Sequence, residues 1–199
     1  MAVECVVGTL PPVEATVGVD LDADRPVCGP LTPALAALAG GDLDALEAIY
    51  DACAADLFGL ALWRTGSRED AADVLQEVLV RLAGRGSKLR RVRDPRAYLL
   101  AMAHSAAVDI VRRRRITVEA GDALLEPVRP DPGTAADAAR ASRLLLGLPA
   151  AQREAVYLRH FAGLSFAEIG DVTGVPTFTA ASRYRLGIGR LRSLMGVNR

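Results

Sequence analysis

The chain has 199 residues and no net charge, with 51% hydrophobic and only 5% aromatic side chains. That length holds one large domain or two small ones, and a composition rich in Ala, Leu, Val and Arg favours helices over sheets. A neutral total argues against a nucleic-acid binder, but only as an average: residues 1–80 carry 3 basic and 14 acidic side chains, and residues 81–115 carry 11 and 2.

Residues 1–30 contain Pro11, Pro12, Pro26 and Pro30 with several Gly and Asp, and show no period. They are expected to form an irregular leader. Leu31, Leu35 and Leu38 open a first short helix that Gly40 and Gly41 end. Asp42 begins a second, with Leu46, Ile49, Tyr50, Cys53, Leu57, Leu60 and Ala61 at helical spacing until Gly66. Ser67 is placed to cap the third, with Asp70 at the capping-box position. Ala71, Leu75, Val78 and Leu82 form its buried stripe. Asp70, Asp73, Gln76 and Glu77 lie on another face. Beside DNA such a face would be repelled, so a docking surface for a protein partner is the better reading.

Gly84 and Gly86 stop the third helix and open a basic loop with Arg85, Lys88, Arg90, Arg91, Arg93 and Arg96. Asp94 and Pro95 then mark a helix start, and Leu99, Ala103, Ala106 and Ile110 its inward stripe. His104 and Ser105 lie outside that stripe. Arg112 to Arg115 close the helix, where they favour the negative end of its dipole. Four consecutive arginines point all round a helix, so some are expected to face a polyanion or else to leave their mutual repulsion unrelieved. A basic loop beside a basic helix suits a single strand leaving a duplex. Tyr98 has two readings, stacking on a base or packing at the helix start.

Residues 116–143 carry Pro127, Pro130, Pro132, Gly121 and Gly133, which is linker composition. From residue 144 to 199 a second block follows, with 7 basic and 3 acidic residues over 150–199. It begins with an amphipathic helix from Ala150 to Phe161. Ser165 to Glu168 is a capping box, Gly174-Val175-Pro176 a turn, and Thr177 the start of a longer helix with Ala180, Tyr184, Gly187 and Leu191 inward. Two helices joined by a short Gly-containing turn are the helix-turn-helix signature. The early residues of its second helix touch base edges; here these are Thr177, Thr179, Ala181, Ser182 and Arg185. Arg183, Arg190 and Arg192 suit phosphates. No acidic residue occurs from Thr177 to Arg199.

The expected fold class is therefore all-α: two helical domains joined by a flexible linker, the C-terminal one a helix-turn-helix. Segregated charge of this size steers polyanions. Cys5, Cys28 and Cys53 make neither a metal pattern nor a disulfide framework and read as idle thiols of a reducing cytoplasm. Neither a signal peptide nor a membrane span is expected. With no phosphate loop and no Cys/His cluster, the chain reads as a non-enzyme with no cofactor and no metal.

Asp70 to Val78, in the sequence Asp-Ala-Ala-Asp-Val-Leu-Gln-Glu-Val, resembles the core-binding motif of the extracytoplasmic-function (ECF) sigma factors of bacterial RNA polymerase. Ala101 to Arg113 resembles the helix which that family uses at the −10 promoter element. Leu148-Pro149, Glu154, Leu158, Gly163 to Ser165, Glu168-Ile169 and Val175 to Arg183 resemble its −35-reading domain. The resemblance implies two partners, core RNA polymerase and promoter DNA. Asp70, Asp73, Gln76 and Glu77 would dock on the polymerase clamp. Arg91, Arg93, Tyr98, His104, Ser105, Arg112 and Arg113 would hold the melted −10 strand. Thr177, Thr179, Ala181, Ser182, Arg183 and Arg185 would meet the −35 duplex. An anti-sigma factor is a common partner in the family, though no residue here identifies one. The chain departs from the family at His104-Ser105, at Phe178-Thr179 and at Ala181. Two rival readings are a stand-alone helix-turn-helix regulator and a helical interaction protein that binds RNA through its basic segments.

Overall fold

A computed structural model describes residues 31–119, 144–145 and 147–196. The leader and the linker from residue 120 to 143 lie outside the described residues. Among the described residues every regular element is helical. The order is α1 (Leu31–Ala39), α2 (Ala45–Thr65), α3 (Arg68–Ala83), a short 3-10 helix (Gly86–Arg91), α4 (Pro95–Glu119), α5 (Ala150–His160), α6 (Phe166–Thr173) and α7 (Thr177–Leu194).

Local chemistry sets most of these ends. Gly66 stops α2 in the left-handed conformation, at φ 76°, and its N–H reaches the Leu62 carbonyl. Ser67 Oγ accepts from the Asp70 N–H and starts α3. Asp94 Oδ1 accepts from the Ala97 N–H at 3.0 Å, ahead of Pro95 at the first position of α4. Ser165 and Glu168 form a complete capping box at α6, with bonds of 2.7 and 3.2 Å.

Three boundaries differ from expectation. Asp42 does not begin α2; its carboxylate accepts from the Asp44 N–H, and the helix starts at Ala45. The basic loop is partly ordered as the 3-10 helix, because Leu89 is buried beneath it. Finally, α4 continues past Arg115 to Glu119, so the arginines lie inside the helix and its last turn holds no basic residue. Their role as a complement to the helix dipole therefore falls away.

Helix α2 is central. It packs against α1, α3, α4 and α5, and apolar residues consequently appear round much of its circumference. The stripes read from the sequence are buried as expected: Ala71, Leu75, Val78 and Leu82 in α3, and Leu99, Ala103, Ala106 and Ile110 in α4. In the second unit, α7 packs on α5 and α6. The buried side chains of the two units join in a single cluster.

Where the units meet, Trp63 of α2 lies 5.4 Å from the Tyr157 ring and 5.1 Å from that of Phe161. Such tilted aromatic pairs each add about 0.5–1.5 kcal/mol beyond area burial. A Cβ on Gly59 would overlap Tyr157, so only glycine lets that ring reach α2. The Tyr157 hydroxyl donates to the Asp56 carbonyl at 3.1 Å, and burial raises its pKa.

Candidate nucleic-acid and polymerase interface

Helix α3 presents the first group of candidates. Asp73 and Gln76 are exposed, and Glu77 is half-buried and pairs with Arg81 one turn on. Asp70 is not on that exposed face. It is buried, with Oδ1 2.7 Å from Arg114 Nη2 of α4. Burial is the main cause that raises its pKa, with Arg114 pulling the other way. The capping-box expectation for its carboxylate is also overturned, because the Ser67 N–H donates to Thr65 Oγ1 instead, at 3.2 Å. A competing cap and a distant arginine together turned this side chain inward. The sequence reading missed Val80, which is 72% exposed. It stands seven positions after Asp73, on the same face. Only its failure to join the buried stripe signals it.

The second group is the basic surface. Arg91, Arg93, Ser105, Arg112 and Arg113 are exposed. Tyr98 is half-buried against the core, with the Arg85 guanidinium 6.0 Å from its ring. Arg96 does not belong to the open cationic loop. It donates to Asp56 Oδ2 at 2.8 and 3.1 Å and to the Ala162 carbonyl at 2.7 Å.

His104 is also engaged. Its Nδ1 lies 2.5 Å from Glu154 Oε1 of α5, while Glu154 Oε2 accepts from Arg64 at 3.0 Å. Glu154 is only 1% exposed. Next to it, Arg153 donates to the Trp63 and Arg64 carbonyls at the end of α2. These carbonyls lack helical partners, and a cation suits that end of a helix. Sequence periodicity could not reveal this polar joint between the units, because its members come from three helices far apart in the chain.

The third group lies on α7. Thr177 and Arg185 are exposed, and Thr179, Ala181, Ser182 and Arg183 are half-buried. Ala180 and Gly187 face inward, and Tyr184 packs against Phe166 and His160. Gly174, at φ 67°, makes the turn between α6 and α7. The outer face of α7 is thus available to a groove while the inner face is held by its own unit.

The family comparisons agree with this geometry. Residues 49–116 match the Sigma-70 region 2 family and residues 139–191 match Sigma-70, region 4. Those two regions on one helical chain define a promoter-specificity factor of RNA polymerase. The ECF RNA polymerase sigma factor SigK of Mycolicibacterium vanbaalenii is 31% identical over 183 residues, which span 86% of this chain and 92% of that protein. SigM of Mycobacterium tuberculosis H37Rv is 28% identical over 162 residues, spanning 81% and 83% respectively. The chain belongs to the ECF RNA polymerase sigma factor family. Its partners are accordingly core RNA polymerase and promoter DNA, and it directs transcription initiation.

Two solved structures share the fold. Sigma factor RpoE of Bartonella quintana, in complex with the anti-sigma factor NepR, superposes with a TM-score of 0.63 at 22% identity, over 72% of this chain and 92% of that one. CnrH, in complex with the cytosolic domain of CnrY, gives 0.61 at 20% identity, over 84% and 97%. Among the described residues no helix is long and apolar enough to cross a membrane.

Proposed function

We propose that three separate surfaces divide the work of initiation. Asp73, Gln76 and Glu77, together with Val80, dock on core polymerase. Arg91, Arg93, Ser105, Arg112 and Arg113 hold the −10 strand, joined by His104 once it leaves Glu154. Thr177, Thr179, Ala181, Ser182, Arg183 and Arg185 meet the −35 duplex. In this reading Asp70 acts indirectly, by holding Arg114 and so fixing α3 against α4, and Tyr98 supports the basic surface rather than stacking on a base.

The observation that carries the reading is the separation of charge on exposed faces. Asp73 and Gln76 stand exposed on α3, the basic turn and Arg112 are exposed elsewhere, and α7 carries four arginines and no acid. Phosphate contacts give affinity and register, while side chains in the major groove give sequence preference. The chain would work in the cytoplasm, where polymerase and promoters are, and would itself catalyse nothing. An anti-sigma partner is part of the proposal because both structural relatives are complexes with such a protein or a cytosolic domain.

The test is a double substitution, Asp73→Ala with Gln76→Ala. Core polymerase binding should fall at least tenfold, while binding of the full chain to a −35 duplex stays unchanged. Tenfold corresponds to about 1.4 kcal/mol, the scale of one lost charged hydrogen bond. Equal loss of both activities would refute the division into separate surfaces.

A further inference from the structure

Phe178 stands out on α7. It is the second residue of the helix and 75% exposed, the most exposed large apolar side chain of the described residues. Among the described residues it belongs neither to the buried core nor to the side chains packed against it, and the sequence departs from the family pattern at this position. Helical spacing puts Phe178 in line with Ser182 and Arg185, at i+4 and i+7. It therefore shares the face proposed above to meet the −35 duplex.

We propose that Phe178 packs on the C5-methyl group of one thymine in that duplex and makes thymine a requirement there; this rests on the reading of α7 as the −35 helix. A phenyl ring offers neither a donor nor an acceptor. Against the polar edge of guanine, adenine or cytosine it would strip water without supplying a hydrogen bond. The thymine methyl is the one apolar group that the major groove displays. Position supports the same assignment, since the early residues of a recognition helix reach the base edges. Charge supports it too: Arg183, Arg190 and Arg192 bring the helix to phosphate, and no acid on α7 opposes them. Phe178 thus supplies apolar readout beside the hydrogen-bonding readout of Ser182 and Arg185.

The experiment uses the full chain assembled with core polymerase and a pool of duplexes randomised through the upstream element. The wild type should select one thymine that Phe178→Ala no longer selects. In the selected duplex, deoxyuridine is then placed at each thymine in turn, which removes only the methyl. One replacement should weaken wild-type binding about fourfold, the worth of one buried methyl. Phe178→Ala should bind the thymine and deoxyuridine forms equally. Because Phe178 is exposed, the variant should keep the wild-type unfolding midpoint. If every deoxyuridine form binds as well as the parent, the inference is overturned and the −35 assignment stands. If Phe178→Ala instead weakens assembly with core polymerase in the absence of DNA, Phe178 serves a protein contact and the inference is overturned. If no duplex is selected at all, the −35 assignment itself fails and the inference goes with it.

Discussion

Glu154 holds Arg64 and His104 at once while almost wholly removed from water, so neither of its oxygens has solvent to fall back on. Truncating one member of such a buried set leaves charges uncompensated. Glu154→Ala should therefore cost about 3–5 kcal/mol in chemical denaturation of the full chain. A cost below about 1 kcal/mol, the range of an exposed pair, would show that this joint does not hold the units together. His160 makes a pH-dependent contribution. Its Nε2 lies 3.0 Å from the Tyr184 hydroxyl, and burial, reinforced by the Arg159 charge, lowers its pKa. The unfolded chain then binds more protons than the fold below the usual imidazole value of about 6.5, so stability rises with pH there. Acidification from about pH 7 to pH 5 should lower the melting temperature of the wild type more than that of His160→Gln. Identical slopes for the two proteins would contradict this.

Helix by helix, the sequence is legible where a boundary depends on neighbours in the chain. Ser67, Asp94, Ser165, Gly66 and Gly174 all act within a turn, and each acts as its spacing implies. Buried stripes read equally well, since periodicity records which face each helix turns inward. Two local expectations fail, at Asp42, which turns to the Asp44 N–H, and at Ser67, whose N–H goes to Thr65; the larger failures come where the partner is remote. Asp70 looks like a surface acid until Arg114 meets it, and Arg96 looks like a phosphate ligand until Asp56 and Ala162 claim it. No spacing rule relates those pairs. The helix-turn-helix has one close approach that spacing also hides: a Cβ on Gly170 would sit 2.7 Å from the Val175 carbonyl oxygen, in the turn before α7. Backbone cannot yield there as a side-chain tip would. Gly170→Ala should cost about 1–3 kcal/mol and weaken −35 duplex binding, both measured on the full chain. Wild-type values for both would mean the turn has room that this geometry denies.

At the scale of the whole molecule, the two units are packed together through Trp63, Tyr157, Phe161 and the Glu154 joint. The outer face of α7 stays open in this arrangement, but His104 of the −10 helix is occupied by α5 and cannot meet a strand at the same time. On the proposed reading, in which His104 joins the −10 strand, promoter engagement requires the units to move apart. Spin labels at Ala52 and Leu194, both exposed, should report a longer separation after core polymerase is added. An unchanged separation in an actively transcribing complex would show that the packed arrangement is itself the working one. The central claim, that separate cationic surfaces hold two promoter elements, is tested most directly by hydroxyl-radical footprinting of the polymerase-bound chain on a promoter it transcribes. Two protected patches are predicted, with Arg185→Ala losing only the upstream patch and Arg91→Ala with Arg93→Ala losing only the downstream one. A single patch, or loss of both patches together in either variant, would contradict the account.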